Sequence, residues 1–140
     1  MRNPRIIEAL YSAANIALVR SGIVVLMENN EPKPVIGEYE GYIAGFGATV
    51  INMGIKPAIA AYCGNAPDPG EINTPSRKKV IEAIAITLNL TGAKDAEGLL
   101  KYVINHDDHS GLRKIKENIV NASVALKILV RTYPIAKDKD

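Results

Sequence analysis

The chain has 140 residues, 47% of them hydrophobic, with 17 basic against 15 acidic side chains and a net charge of +2. That is the size of one domain with a sizeable core, and it is too weakly basic to attract a polyanion over its whole surface, so an anionic partner must be met by a local cluster. Neither a secretory signal nor an apolar run of about 18 residues is visible, so a soluble, cytoplasmic protein with no membrane partner is expected.

Asn3-Pro4 reads as a helix start, an N-cap followed by proline at the first helical position. The pattern predicts a helix to about Met27. Ile7, Leu10, Ala14, Ala17 and Leu18 lie on one face and Ile6, Ala13 and Ile16 on another, which implies burial on more than one side. Gly22 to Met27 also suits a short strand, but no other segment reads as its pairing partner, so helix is preferred. Glu28 to Pro34 is a loop.

The stretch Gly41 to Tyr62 is almost free of charge and reads as the centre of the fold. Gly41 with Gly45, and Ala44 with Ala48, are small residues at helical spacing that would let another helix approach closely. Asn52-Met53-Gly54 reads as a helix end with a left-handed glycine. Lys56-Pro57 restarts the chain, and Ala58 to Tyr62 forms a short second helix. Gly64 to Thr74 is the longest irregular segment.

Thr74-Pro75 opens a helix running to Thr91-Gly92, with Val80, Ile81, Ile84, Ala85 and Leu88 facing the core. Arg77, Lys78 and Lys79 crowd its first turn, where cations oppose the helix dipole. Such a placement suits either an anionic partner or a solvated helix start. Asp95 caps a short helix through Leu99, Leu100, Val103 and Ile104. The last helix is expected from about Leu112 to Tyr133, ended by Pro134. Its seam is Leu112, Ile115, Ile119, Ala122, Leu126, Leu129 and Tyr133, at 3-4 spacing. Val120, Val124 and Ile128 lie on its other side, so the helix is either sandwiched within the domain or turned toward another chain. The terminal KDKD is charged and is expected to fray. The whole reads as one all-α bundle of five or six helices.

Little in the chain suggests catalysis. His106-Asp107-Asp108-His109 holds both histidines and could serve a metal or acid–base site. Four consecutive loop residues rarely converge on one ion, however, and one or both aspartates suit a helix cap. Cys63 lies at a helix end in apolar surroundings, where a buried, inert thiol is the usual case. No phosphate-binding glycine loop is present. No catalytic residue, metal site or cofactor is expected, and the chain does not read as an enzyme.

One charge pattern remains. Arg113, Lys116, Lys127 and Arg131 fall within a strip about 60° wide on the last helix, a shape that can follow a phosphate backbone without reading bases. Arg77, Lys78 and Lys79 form a second candidate group for nucleic acid. Val120, Val124 and Ile128 are the candidate partner interface.

The segment EYEGYIAGFGATVINMGIKPAIAAYCG, Glu38 to Gly64, resembles the second-helix region of the small α-helical subunit of the type III-B CRISPR-associated RAMP (Cmr) effector complex. The resemblance rests on Tyr39 or Tyr42, the apolar Val50-Ile51, the break Asn52-Met53-Gly54 and the short helix Ala58 to Tyr62. ALKILVRTY, Ala125 to Tyr133, looks like that family's last helix. The resemblance implies a non-catalytic subunit in antiviral defence. Copies of it would stack along the guide RNA–target RNA duplex beside other Cmr subunits, with basic surfaces on the nucleic-acid backbone. Base pairing then supplies the specificity. The RNA-contact residues named above come from charge placement and not from the resemblance. A helical protein–protein adaptor with no nucleic-acid role is the alternative.

Overall fold

Gly22 and Gly54 set the course of the first half of the chain, because both hold a backbone conformation that side-chain-bearing residues rarely adopt (φ +87° and +90°). In the computed structural model, which describes residues 4–64 and 75–136, they separate the opening helices from a hairpin-like turn and one apolar helix from the next. The described residues form seven helices: α1 Pro4–Ala9, α2 Tyr11–Arg20, α3 Gly37–Met53, α4 Ile55–Cys63, α5 Arg77–Leu88, α6 Ala96–Ile104 and α7 His109–Val130. Between them lie isolated bridges only, so the architecture is an all-α bundle.

The count exceeds five or six because the opening helix is not continuous. It breaks at Leu10, resumes as α2, and stops well before Met27. Gly22 turns the chain, and Ile23 and Val24 are buried. Met27 N–H donates to Glu31 O and Lys33 N–H to Val25 O, each at 2.8 Å, around the Leu26–Pro32 bridge. The segment is therefore neither the expected helix nor the alternative strand, but a turn held by one isolated bridge. Its partner was hidden because Pro32 and Pro34 make poor strand residues and limit the pairing to one bridge. Burial of α2 is also one-sided: Ala14, Ala17 and Leu18 are buried, while Ile6 of α1 and Ile16 of α2 are exposed.

The centre of the bundle is α5 and not the glycine-rich stretch. Val80, Ile81, Ala83, Ile84, Ala85 and Thr87 of α5 are all buried, and the helix packs against α2, α3, α4, α6 and α7. Thr87 Oγ1 donates to Ala83 O at 2.7 Å, so its hydroxyl enters the core with a partner. By contrast α3 buries one stripe, Tyr39, Ile43, Phe46 and Val50. Its glycines do not mediate close approach. A methyl group on Gly41 or Gly47 would meet nothing within 4 Å, and one on Gly45 would make only ordinary contact with Tyr62 Oη at 3.9 Å. Gly41, Ala44, Ala48 and Ile51 face outward.

The break at Gly54 stands where the sequence places it, but its ψ of 164° is extended and not left-handed helical. The chain therefore restarts at once, with α4 beginning at Ile55 and Pro57 within its first turn, where a missing N–H is harmless. Phe46 and Tyr62 meet edge to face at 5.1 Å, and Tyr62 Oη donates to Tyr42 O at 2.7 Å, which ties α4 to α3.

The later helices keep their predicted cores with shifted ends. The N-cap of α5 is Ser76, whose Oγ accepts from Lys78 N–H, and Thr74 lies outside the described residues. The helix stops at Leu88 because Asn89 takes a left-handed conformation (φ 52°). Asp95 caps α6 as expected. Helix α7 starts three residues earlier than predicted, since Asp108 accepts from Gly111 N–H at 2.8 Å and serves as its N-cap. It also ends sooner, at Val130, because Pro134 has no N–H to offer the Val130 carbonyl and its ring would crowd that oxygen in a continued helix. Beyond α7 the chain is held: Val35 N–H donates to Pro134 O at 2.8 Å, and Ala136 N–H to Val35 O at 2.7 Å. Asn3, most of the Gly64–Thr74 segment and the KDKD tail lie outside the described residues.

Candidate nucleic-acid interface

Helix α7 is long enough to present both a buried seam and a charged face. Ile115, Ile119, Ala122 and Leu126 are buried along the predicted seam, while Leu112, Leu129 and Tyr133 are half-buried at its ends. Asn121, Ser123, Ala125 and Val130 are buried as well, because α1, α2, α3 and α5 all pack against this helix. It is thus sandwiched within the domain. Val120 and Val124 are half-buried against the core, and of the candidate interface only Ile128 counts as exposed, at 39%.

The four strip cations are not equivalent. Arg113, Lys116 and Arg131 are exposed and Lys127 is half-buried. At 1.5 Å rise per residue, Lys116 and Lys127 stand about 16 Å apart along the axis, so the strip is two pairs with Val120 and Val124 between them. In the C-terminal pair, Arg131 Nε donates to Glu40 Oε2 at 2.8 Å, which neutralises part of its charge. Among the described residues Arg113, Lys116 and Lys127 have no ion-pair partner. The N-terminal pair is therefore the more available to an anion.

Two of the three cations in the second group, Arg77 and Lys78, are occupied within the fold. Arg77 sits over the Tyr42 ring, 4.4 Å from its centroid. Lys78 pairs with Glu97, an interaction that raises the lysine and lowers the glutamate from their ordinary values. Lys79 Nζ lies 3.4 Å from where a side chain on Gly22 would begin. The contacts of Arg77 and Lys78 give two of these three cations a local explanation that helical periodicity could not show.

The His106–His109 run is divided among separate tasks. His106 Nδ1 lies 2.9 Å from Tyr102 O and its ring rests against Tyr102. Asp107 lies 3.7 Å from Lys56 Nζ, Asp108 caps α7, and His109 opens that helix. Among the described residues no three His, Cys, Asp or Glu side chains come together to hold a metal ion. Cys63 is half-buried; burial and the nearby Glu97 push its thiol up, away from the reactive thiolate.

Two concavities bear on ligand binding. The larger, about 670 Å³, lies between α2 and α5, where Arg20 and Lys94 share the wall with the half-buried Glu82. Its mixed charge gives a polyanion little net attraction. The smaller, about 390 Å³, lies where α4 and α7 begin, lined by Gly54, Ile55, His109, Leu112, Arg113 and Lys116. It contains the available pair of the strip. No described helix is long and apolar enough to cross a membrane. The chain matches no protein-family model, no curated protein and no solved structure.

Proposed function

We propose that this chain is a non-catalytic small subunit of a type III-B CRISPR RNA-guided (Cmr) effector, supporting target RNA through backbone contacts while packing against other subunits. The observation that carries the reading is the exposed pair Arg113 and Lys116, unpaired among the described residues, on a helix that carries Lys127 on the same side. Point charges of this kind attract phosphate without selecting bases, which suits a system whose specificity comes from a guide strand. Subunit packing has its own support in the uncovered face of α3, where Gly41, Ala44 and Ala48 offer a low surface and Ile51 is 74% exposed.

The test is an affinity pull-down of the tagged protein from its native cell, with sequencing of bound RNA and identification of bound proteins. Recovery of CRISPR guide RNA with other effector subunits is expected. Reversing Arg113 and Lys116 to Glu should reduce target RNA in the complex without removing its protein partners. Recovery of unrelated proteins without guide RNA, under conditions that keep a known effector intact, would overturn the reading and leave a helical adaptor. Salt separates the two as well, since phosphate contacts weaken steeply with ionic strength and apolar contacts do not.

A further inference from the structure

The groove at the start of α4 and α7 differs from a plain charged surface, because its cations stand beside an apolar wall. Ile55 is buried at 5% exposure and Leu112 is half-buried, so the wall is fixed by the core behind it. His109, the first residue of α7, brings an exposed planar ring to the same groove. Arg113 lies one helical turn beyond His109, and Lys116 a further turn along. Asp108 is engaged with Gly111 N–H and Ser110 Oγ, and Asp107 lies near Lys56, while the exposed Glu117, next to Lys116 and one turn beyond Arg113, forms no ion pair with either cation among the described residues.

Phosphate alone has no use for an apolar wall and a ring. A single unstacked nucleotide has use for all three features, since its base needs apolar or aromatic contact and its phosphate needs a cation. The volume, about 390 Å³, lies within the range of small-ligand sites. We infer that this groove takes one nucleotide of single-stranded RNA, its base against His109, Leu112 and Ile55 and its phosphate on Arg113 and Lys116. The inference rests on the RNA-binding reading above and adds to it a base contact that is tolerant of sequence. Duplex RNA, with its bases stacked inside, cannot fill the groove in this way.

The test uses the full chain and two fluorescent probes, an oligouridylate of about ten nucleotides and an abasic ribose-phosphate chain of equal length. Binding is followed by anisotropy at low salt. The intact probe should bind about tenfold more tightly than the abasic one, within the range of one stacked base. His109→Ala should remove that difference by weakening the intact probe alone, and His109→Phe should restore it. Because His109 is exposed, both variants should fold, which circular dichroism checks. Equal binding of the two probes, with loss of both in Arg113→Glu/Lys116→Glu, would overturn the base contact and leave the backbone reading standing. Failure of both probes to bind would overturn the inference, while the subunit reading beneath it stands or falls on the pull-down, where copies bind together.

Discussion

Arg131 Nε donates to Glu40 Oε2 at 2.8 Å, joining the end of α7 to the first turn of α3. Both side chains are partly exposed, so the pair contributes at most about 1 kcal/mol to stability. Its larger effect is on the charged strip, where a carboxylate competes with any phosphate for Arg131. Glu40→Gln should therefore strengthen RNA binding at low salt. It should also steepen the dependence of log affinity on log salt by up to about one unit, since one more cation is released to phosphate. Thermal unfolding should change little. A salt slope equal to that of the parent chain would show that Arg131 is not part of the RNA surface.

Two glycines flanking one helical stretch should respond to alanine with opposite signs. Gly54 stands at φ +90° and ψ 164°, a region closed to residues with a Cβ, so Gly54→Ala should destabilise the chain by about 1–3 kcal/mol. Gly41 is helical and exposed, and a methyl there would meet nothing within 4 Å. Gly41→Ala should stabilise by up to about 1 kcal/mol through helix propensity. Urea unfolding of both variants checks the pair. A cost at Gly41 would restore the close-packing role that the small-residue spacing suggested.

That contrast shows what the sequence carried and what it did not. The cores of α5, α6 and α7 were legible because apolar periodicity is a property of single helices, and Ile115, Ile119, Ala122 and Leu126 are buried as their spacing demands. The small residues of α3 were misleading because spacing shows which residues share a face and not which face is covered. The cation strip was legible as a pattern. That Arg131 is shared with Glu40, and Lys78 with Glu97, depends on partners 91 and 19 positions away in sequence, which no helical count can supply. The groove was missed for the same reason: it joins Gly54 and Ile55 to residues of α7 that the sequence places in another part of the chain.

Glu82 is half-buried on α5, facing Arg20 and Lys94 across the larger concavity and lying near Glu97, Asp95, Lys78 and Lys79. Burial, and then the charges of Glu97 and Asp95, raise its carboxyl above the ordinary 4.5, while Lys78 and Lys79 oppose the rise. The folded state therefore holds this proton more tightly than the unfolded state does. That contribution to stability is fully present below 4.5 and is lost as pH rises through the elevated folded value. Glu82→Gln removes the charge that is costly near neutrality. It should raise the urea midpoint near pH 7 relative to the parent chain, with the difference shrinking as the pH is lowered below 4.5. A variant that is less stable near neutrality would show that Glu82 is held by its cations more than it is opposed by burial.

Gly98 and Gly111 occupy the same place in two capped helices and should not tolerate the same change. Each donates its N–H to the capping aspartate, Gly98 to Asp95 Oδ1 at 2.7 Å and Gly111 to Asp108 Oδ2 at 2.8 Å. A methyl on Gly111 would crowd only the Asp108 side chain, with Oδ2 at 2.9 Å, and a side chain can turn aside. A methyl on Gly98 would meet Asp95 Oδ1 at 2.8 Å and also Gly92 O at 3.0 Å and Ala93 Cα at 3.1 Å, both backbone atoms. Relief there requires moving the turn that joins α5 to α6, in which Gly92 already holds φ +79°. Gly98→Ala should cost about 1–3 kcal/mol, the range for overpacking a fixed site. Gly111→Ala should cost less, because the better helix propensity of alanine offsets part of the disturbance to the cap. Repeating Gly98→Ala in an Asp95→Ala background isolates the cause. If the backbone contact dominates, most of the cost remains after the carboxylate is gone; if it vanishes, the clash was with the cap alone.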